Sequence, residues 1–252
     1  TFLLLIGFLV LSHYPAGHSV QKTLEGVGFI LALFGCVVHH EFGHALMAAR
    51  YGINTRDITL LPIGGVARLE KMPEEPIQEL WVALAGPAVN VVIAALLYGW
   101  LHLSQTWEPL NQLEVATGPF LERLLVVNLM LVVFNMLPAF PMDGGRVLRA
   151  LLATQMEYTR ATQIAANIGQ GLALAFGFLG FFINPFLMFI ALFVWIGAAQ
   201  EASMVQMKAS LGGIPVMRAM IPDYRTLEPT RPLSEAVDLI LAGSQQDFPV
   251  VE

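Results

Sequence analysis

Charge is what this sequence has least of. Asp, Glu, Lys and Arg make up 13% of its 252 residues, about half the roughly 25% of an ordinary soluble domain, which argues against a single water-solvated core. Cysteine occurs once, at Cys36, and this excludes an internal disulfide and any zinc cluster built on several thiolates. Basic runs are missing, and 13 Lys+Arg against 19 Asp+Glu give a net charge of −6, so nothing supports a nucleic-acid partner. No segment repeats at a fixed period. The opening stretch, Thr1 to Leu11, has no initiator Met and no basic flank; it reads as the inside of a first membrane span and not as a cleaved signal peptide.

Apolar residues are plentiful, at 56%, and they gather in six stretches: Phe2 to Leu11, Val27 to Ala49, Leu80 to Leu103, Leu121 to Leu137, Ile164 to Ile183 and Phe186 to Ala199. A bilayer is crossed by ~20 such residues. The pattern predicts an α-helical polytopic membrane protein with about six transmembrane helices, the last of them short. Asn184-Pro185 supplies a tight turn between the fifth and sixth. Alternating apolar residues over Ile53 to Leu69, broken by Pro62 and Gly64-Gly65, predict a small bent β-hairpin at the membrane surface. From about Leu211 the composition turns polar, with a helix expected from Ser234 to Leu241 and a strand over Phe248 to Val251. The expected division is a membrane domain over 1–210 and a soluble tail over 211–252. Under this topology all Lys and Arg except Lys22 and Arg123 fall on one side, which the positive-inside rule makes the cytoplasm, together with the amino terminus and the tail. Trp81, Trp100 and Trp107 fit an interfacial aromatic belt.

His40-Glu41-Phe42-Gly43-His44 lies inside the second stretch. On a helix, positions i and i+4 share a face one turn apart, so both imidazoles are placed to bind one Zn2+ ion. Glu41, next along the chain, is angled to reach a water on the metal without entering the coordination sphere, as a general base would. The plain alternative is a polar cluster at a packing seam. Unpaired, two His and a Glu in hydrocarbon cost ~2–3 kcal/mol each, which a metal offsets. Hydrolytic zinc takes three protein ligands, and Asp143 is the strongest candidate for the third. It follows the fourth stretch, where Pro138 and Pro141 stop the helix and Gly144-Gly145 permit a tight turn. Its ordinary alternative is to cap a helix beginning near Arg146. His39 points ~100° away from His40, toward packing or an access channel, and Cys36, one turn from His40, reads as an inert buried thiol.

His-Glu-Phe-Gly-His in a transmembrane helix, followed by Asn135-x-x-Pro138-x-x-x-x-Asp143-Gly144 after another span, resembles the site-2 protease family of intramembrane zinc metalloproteases. The resemblance implies a catalytic core over about 27–148, with His40, His44 and Asp143 as zinc ligands and Glu41 as the catalytic carboxylate. Gly86-Pro87 with Asn90 looks like a further family element, which would put Asn90 and Asn135 near the substrate peptide; gluing helices together is their alternative role. The function implied is cleavage of transmembrane or membrane-adjacent protein segments by zinc-activated water, in regulated intramembrane proteolysis at the cell (inner) membrane. The tail from Val216 resembles the opening of a CBS domain, an α/β module cut short here. A complete copy would imply binding of an adenine nucleotide and homo-oligomer formation. A transporter or channel with a regulatory CBS tail is the alternative from another class, but the ionisable groups converge on one cluster and are not spread over repeated halves.

Overall fold

Backbone polar groups in hydrocarbon must bond within their own segment, and the apolar stretches form helices accordingly. A computed structural model describes residues 20–61, 64–69, 73, 75–104, 118–212, 214–218, 220, 224–243, 245 and 247–251, with no side chains considered at 20–23, 58–61 and 64–69. The expected first span, Phe2 to Leu11, lies outside the described residues, as does Trp107.

The elements are α1 (Val20–Arg50), β1 (Thr55–Leu61), β2 (Gly64–Leu69), α2 (Pro76–Leu103), α3 (Phe120–Asn135), α4 (Asp143–Ala153), α5 (Tyr158–Phe182), α6 (Phe186–Leu211), a 3-10 turn (Val216–Arg218) and α7 (Leu233–Ala242). Four helical segments among the described residues are long and apolar enough to cross a membrane: Leu24–Arg50, Pro76–Leu103, Tyr158–Phe182 and Phe186–Leu211. Where a fourth span was expected, α3 has 16 residues and covers only ~24 Å at 1.5 Å per residue. It stops early because Pro138 bars helical geometry just before itself. The expected short last span is a helix of 26 residues. Gln200 and Glu201 mark where α6 becomes polar, and helix-forming residues carry it on to Leu211.

Helix α1 ends in a left-handed turn. Gly52 adopts φ 71°, its N–H bonds to Ala49 O at 3.0 Å, and Ile53 N–H bonds to Ala48 O at 3.1 Å. This pairing satisfies the last carbonyls of the helix and seats Ile53 on Ala48 and Val82. The chain then enters the antiparallel pair β1–β2, which runs from Thr55↔Leu69 to Leu61↔Gly64 with an irregularity between Thr55 and Asp57.

Helix α2 is the centre of the first unit, packing against α1, α3 and α4. Small residues set the spacing of α5: Ala161, Ala165, Gly169 and Ala173 are buried in one stripe. A Cβ on Gly169 would come within 3.2 Å of Ala139 Cα, so the stripe lets helix and loop backbones approach closely. Asn184 closes the α5–α6 hairpin, its carbonyl accepting from Leu187 N and its Oδ1 from Phe186 N, both at 2.9 Å.

Helix α4 is held by a buried ion cluster that the sequence did not announce. Arg149 is fully buried. Its Nε donates to Glu79 Oε1 at 2.8 Å, and Nη1 donates to Glu201 Oε1 at 2.5 Å. The guanidinium lies 5.0 Å from the ring centroids of both Phe140 and Tyr158. Burial opposes its charge, but Glu79, Tyr158 and Glu201 outweigh that and hold its pKa above the ordinary value. Arg149→Met would strand the buried Glu79 carboxylate, whose Oε2 already has no hydrogen-bond partner. The expected cost is ~3–5 kcal/mol, read from unfolding in detergent, with most of it recovered in the double variant carrying Glu79→Gln. An undiminished melting temperature in Arg149→Met would show that the cluster does not hold the helix.

Residues Lys208–Glu252 form a second compact unit. There α7 begins one residue before the expected Ser234. In place of a free strand, Val250 makes a single parallel bridge to Leu227, with Leu227 N–H to Pro249 O and Val251 N–H to Leu227 O both at 3.0 Å.

Candidate metal centre

Helix α1 brings His40 and His44 to one buried face, their Nε2 atoms 3.1 Å apart. Asp143 Oδ2 lies 3.1 Å from His40 Nε2 and 3.2 Å from His44 Nε2. Asp143 arrives there as the first residue of α4, three positions before the expected helix start, and it points at the histidines instead of capping. The two glycines that follow make this possible. A Cβ on Gly144 would overlap Leu137 O, and one on Gly145 would sit 2.6 Å from Phe140 N, so only glycine lets α4 begin so close against the Met136–Phe140 turn.

The other ring nitrogens fix the chemistry. His44 Nδ1 is 2.7 Å from Val82 O, a carbonyl that only accepts, so Nδ1 carries a proton and, in the neutral ring, Nε2 is bare. His40 Nδ1 is 2.5 Å from Asn90 Oδ1, with the same consequence. With both rings neutral, three lone-pair atoms converge, an arrangement that repels itself unless a cation, a metal ion or a proton, sits among them. Tetrahedral zinc with ligands at ~2.0–2.1 Å places them about 3.3 Å from one another, so the spacing fits. Gly86 completes the cradle: a Cβ there would overlap His44 Nε2 and lie 2.7 Å from His40 Nε2. His40, His44 and Asp143 are also the only such grouping of potential metal ligands among the described residues.

Glu41 stands one residue along the helix, half-buried and outside the ligand trio. Exposed His39 turns away from the site, its Nδ1 2.7 Å from Gly35 O. Cys36 is buried and is reached by Asn128 Nδ2 at 3.4 Å. Asn90 is fully buried beneath His40, and half-buried Asn135, at the end of α3, donates to Leu131 O at 3.0 Å. Sequence reasoning passed over Asn128, Glu79 and Arg149. The available signal for Asn128 was an amide inside the apolar run Leu121 to Leu137, where a polar side chain needs a partner.

The sequence model of Peptidase family M50 matches residues 28–176, from α1 into α5. A zinc metalloprotease of Methanocaldococcus jannaschii is 41% identical over 98% of this chain and 71% of its own length. A relative from Synechocystis is 34% identical over 88% of this chain and 61% of its own. Among solved structures, a site-2 protease from Methanocaldococcus jannaschii aligns with a TM-score of 0.57 at 40% identity, covering 79% of this chain and 87% of that one. With three potential ligand atoms spaced for zinc and this likeness over more than half of its length, the chain belongs to peptidase family M50, the site-2 protease family of zinc metalloproteases.

Proposed function

We propose that this chain is the membrane endopeptidase that its family membership indicates, cutting transmembrane or membrane-adjacent segments of protein substrates in regulated intramembrane proteolysis. One observation carries the reading: three bare ligand atoms converge beside Glu41 in a fold whose helices are of membrane-spanning length. Zinc, when bound, supplies a Lewis acid for the peptide carbonyl and lowers the pKa of water toward 7. Glu41 accepts a proton from the attacking water and returns it to the departing amide nitrogen as the C–O bond forms and the C–N bond breaks. A helical substrate must first unwind, because its carbonyls are occupied. The β1–β2 pair is a two-stranded sheet, so an edge is available to hold the unwound segment extended. Asn135 is assigned to the substrate side, and Asn90 to the support of His40.

His44 and His40 lie six and ten residues before the Arg50 end of α1, ~9 and ~15 Å along the helix axis. In the proposed six-span topology, with the amino terminus and the tail in the cytoplasm of a cell with this protein in its inner membrane, the zinc is nearer the cytoplasmic face. The tail is assigned to a CBS-type module that, when complete, pairs with a second copy and binds an adenine nucleotide. A two-arm assay tests these readings. The purified protein, reconstituted in lipid with single-span membrane proteins, is expected to cleave one or more of them, to stop when a chelator removes zinc and to resume on zinc repletion. A transporter or channel would leave all of them intact. In the second arm, adenine nucleotide is expected to change the rate of the full-length protein but not of a version ending near Gly212; an equal response in both would remove the tail as the sensor.

A further inference from the structure

The hydrogen bonds behind His40 run in one direction. Asn128 Nδ2 donates to Leu124 O at 2.8 Å, and a backbone carbonyl can only accept. The amide of Asn128 is therefore oriented with its NH2 toward Leu124, which turns Oδ1 toward Asn90. Asn90 Nδ2 donates to that oxygen at 2.8 Å, and this in turn leaves Asn90 Oδ1 facing His40 Nδ1 at 2.5 Å. His40 must then carry its proton on Nδ1. Both asparagines are fully buried, so no water competes for these contacts. Asn128 also reaches Cys36 Sγ at 3.4 Å, one turn from His40 on the same helix, so that the chain of contacts joins α1, α2 and α3 in a ring.

We propose that Asn128 is a positioning residue of the metal centre: acting through Asn90, it selects the tautomer in which His40 presents a bare Nε2 to the metal. Without an acceptor at position 128, the amide of Asn90 is free to turn over and offer its NH2 to His40 Nδ1. The imidazole then protonates Nε2, and a protonated nitrogen cannot be a ligand. No role for Asn128 follows from the HExxH or Asp-Gly elements, and its side chain meets Asn90, Leu124 O and Cys36. The inference rests on the reading of His40, His44 and Asp143 as a zinc site.

The substitutions Asn128→Leu and Asn128→Asp separate this role from helix packing. Asp places an oxygen acceptor opposite Asn90 whether it is ionised or neutral, and when neutral its O–H can still donate to Leu124 O. Leu fills similar volume with no acceptor. The full chain is examined in detergent by nitrogen-15 spectroscopy of labelled histidine, metal-free and at mildly alkaline pH, and by zinc titration against a chelator. The parent and Asn128→Asp are expected to hold His40 as the Nδ1–H tautomer with like affinities. Asn128→Leu is expected to populate Nε2–H and to bind zinc about 10–100-fold more weakly, the range seen when outer-shell partners of metal ligands are removed. If Asn128→Leu lowered only thermal stability, keeping the Nδ1–H signal and the parent's zinc affinity, Asn128 would be helix glue and the proposal would be wrong. Should that variant not fold, the parent decides: a metal-free His40 protonated on Nε2 overturns the proposal. If the parent took up no zinc while the tautomer still followed position 128, the relay would stand and the metalloprotease reading would fall.

Discussion

Glu41→Gln is expected to lower cleavage by about 10²–10⁴-fold, the contribution typical of a positioned general base, while the zinc content of the purified protein stays unchanged. Gln matches Glu in size and keeps a polar head but cannot take a proton. The three potential ligand atoms that come together belong to His40, His44 and Asp143, so Glu41→Gln gives the metal no reason to leave. Metal analysis beside a rate measurement separates the two effects. Cleavage by Glu41→Gln at the parent rate would remove Glu41 from the mechanism, and a matching loss of zinc would make it a ligand and not a base.

Gly86→Ala should all but abolish zinc binding, by a factor on the order of 100 or more when a ligand nitrogen is displaced from its position. The added methyl would overlap His44 Nε2 and approach His40 Nε2 to 2.7 Å. Neither ring is free to retreat, since each is tied from behind through Nδ1. Gly35→Ala is the control: it lies on the same helix as the histidines, and a Cβ there meets nothing within 4 Å. Its zinc affinity is expected to match the parent's. Tight zinc binding by Gly86→Ala would mean that the histidines do not face α2 as described.

The convergence of His40, His44 and Asp143 was legible in the sequence because its chemistry is local. His40 and His44 need only the helical period to meet, and Asp143 is flagged by the prolines and glycines that force a turn beside it. Helix boundaries were less legible. Hydropathy marks where a helix is in contact with hydrocarbon, not where it starts or stops, so α5 begins at Tyr158 and not Ile164, and α6 continues past Ala199 to Leu211. Least visible were contacts between residues distant along the chain. Arg149 and Glu79, 70 positions apart, look like two ordinary surface charges until α4 is folded against α2. Asn90 and Asn128 look like two separate polar interruptions until their amides meet 38 positions apart.

The two histidines differ in how open their support is to mutation. His44 is steadied by a main-chain carbonyl, that of Val82, which every amino acid provides. Substitution at position 82 alters volume at a site 2% exposed but cannot delete the hydrogen bond. His40 depends on the amide of Asn90, and a single base change in the gene can remove it. Random variation should thus erode the centre from one side only: half of its support is written in the path of the backbone, and the other half in replaceable letters.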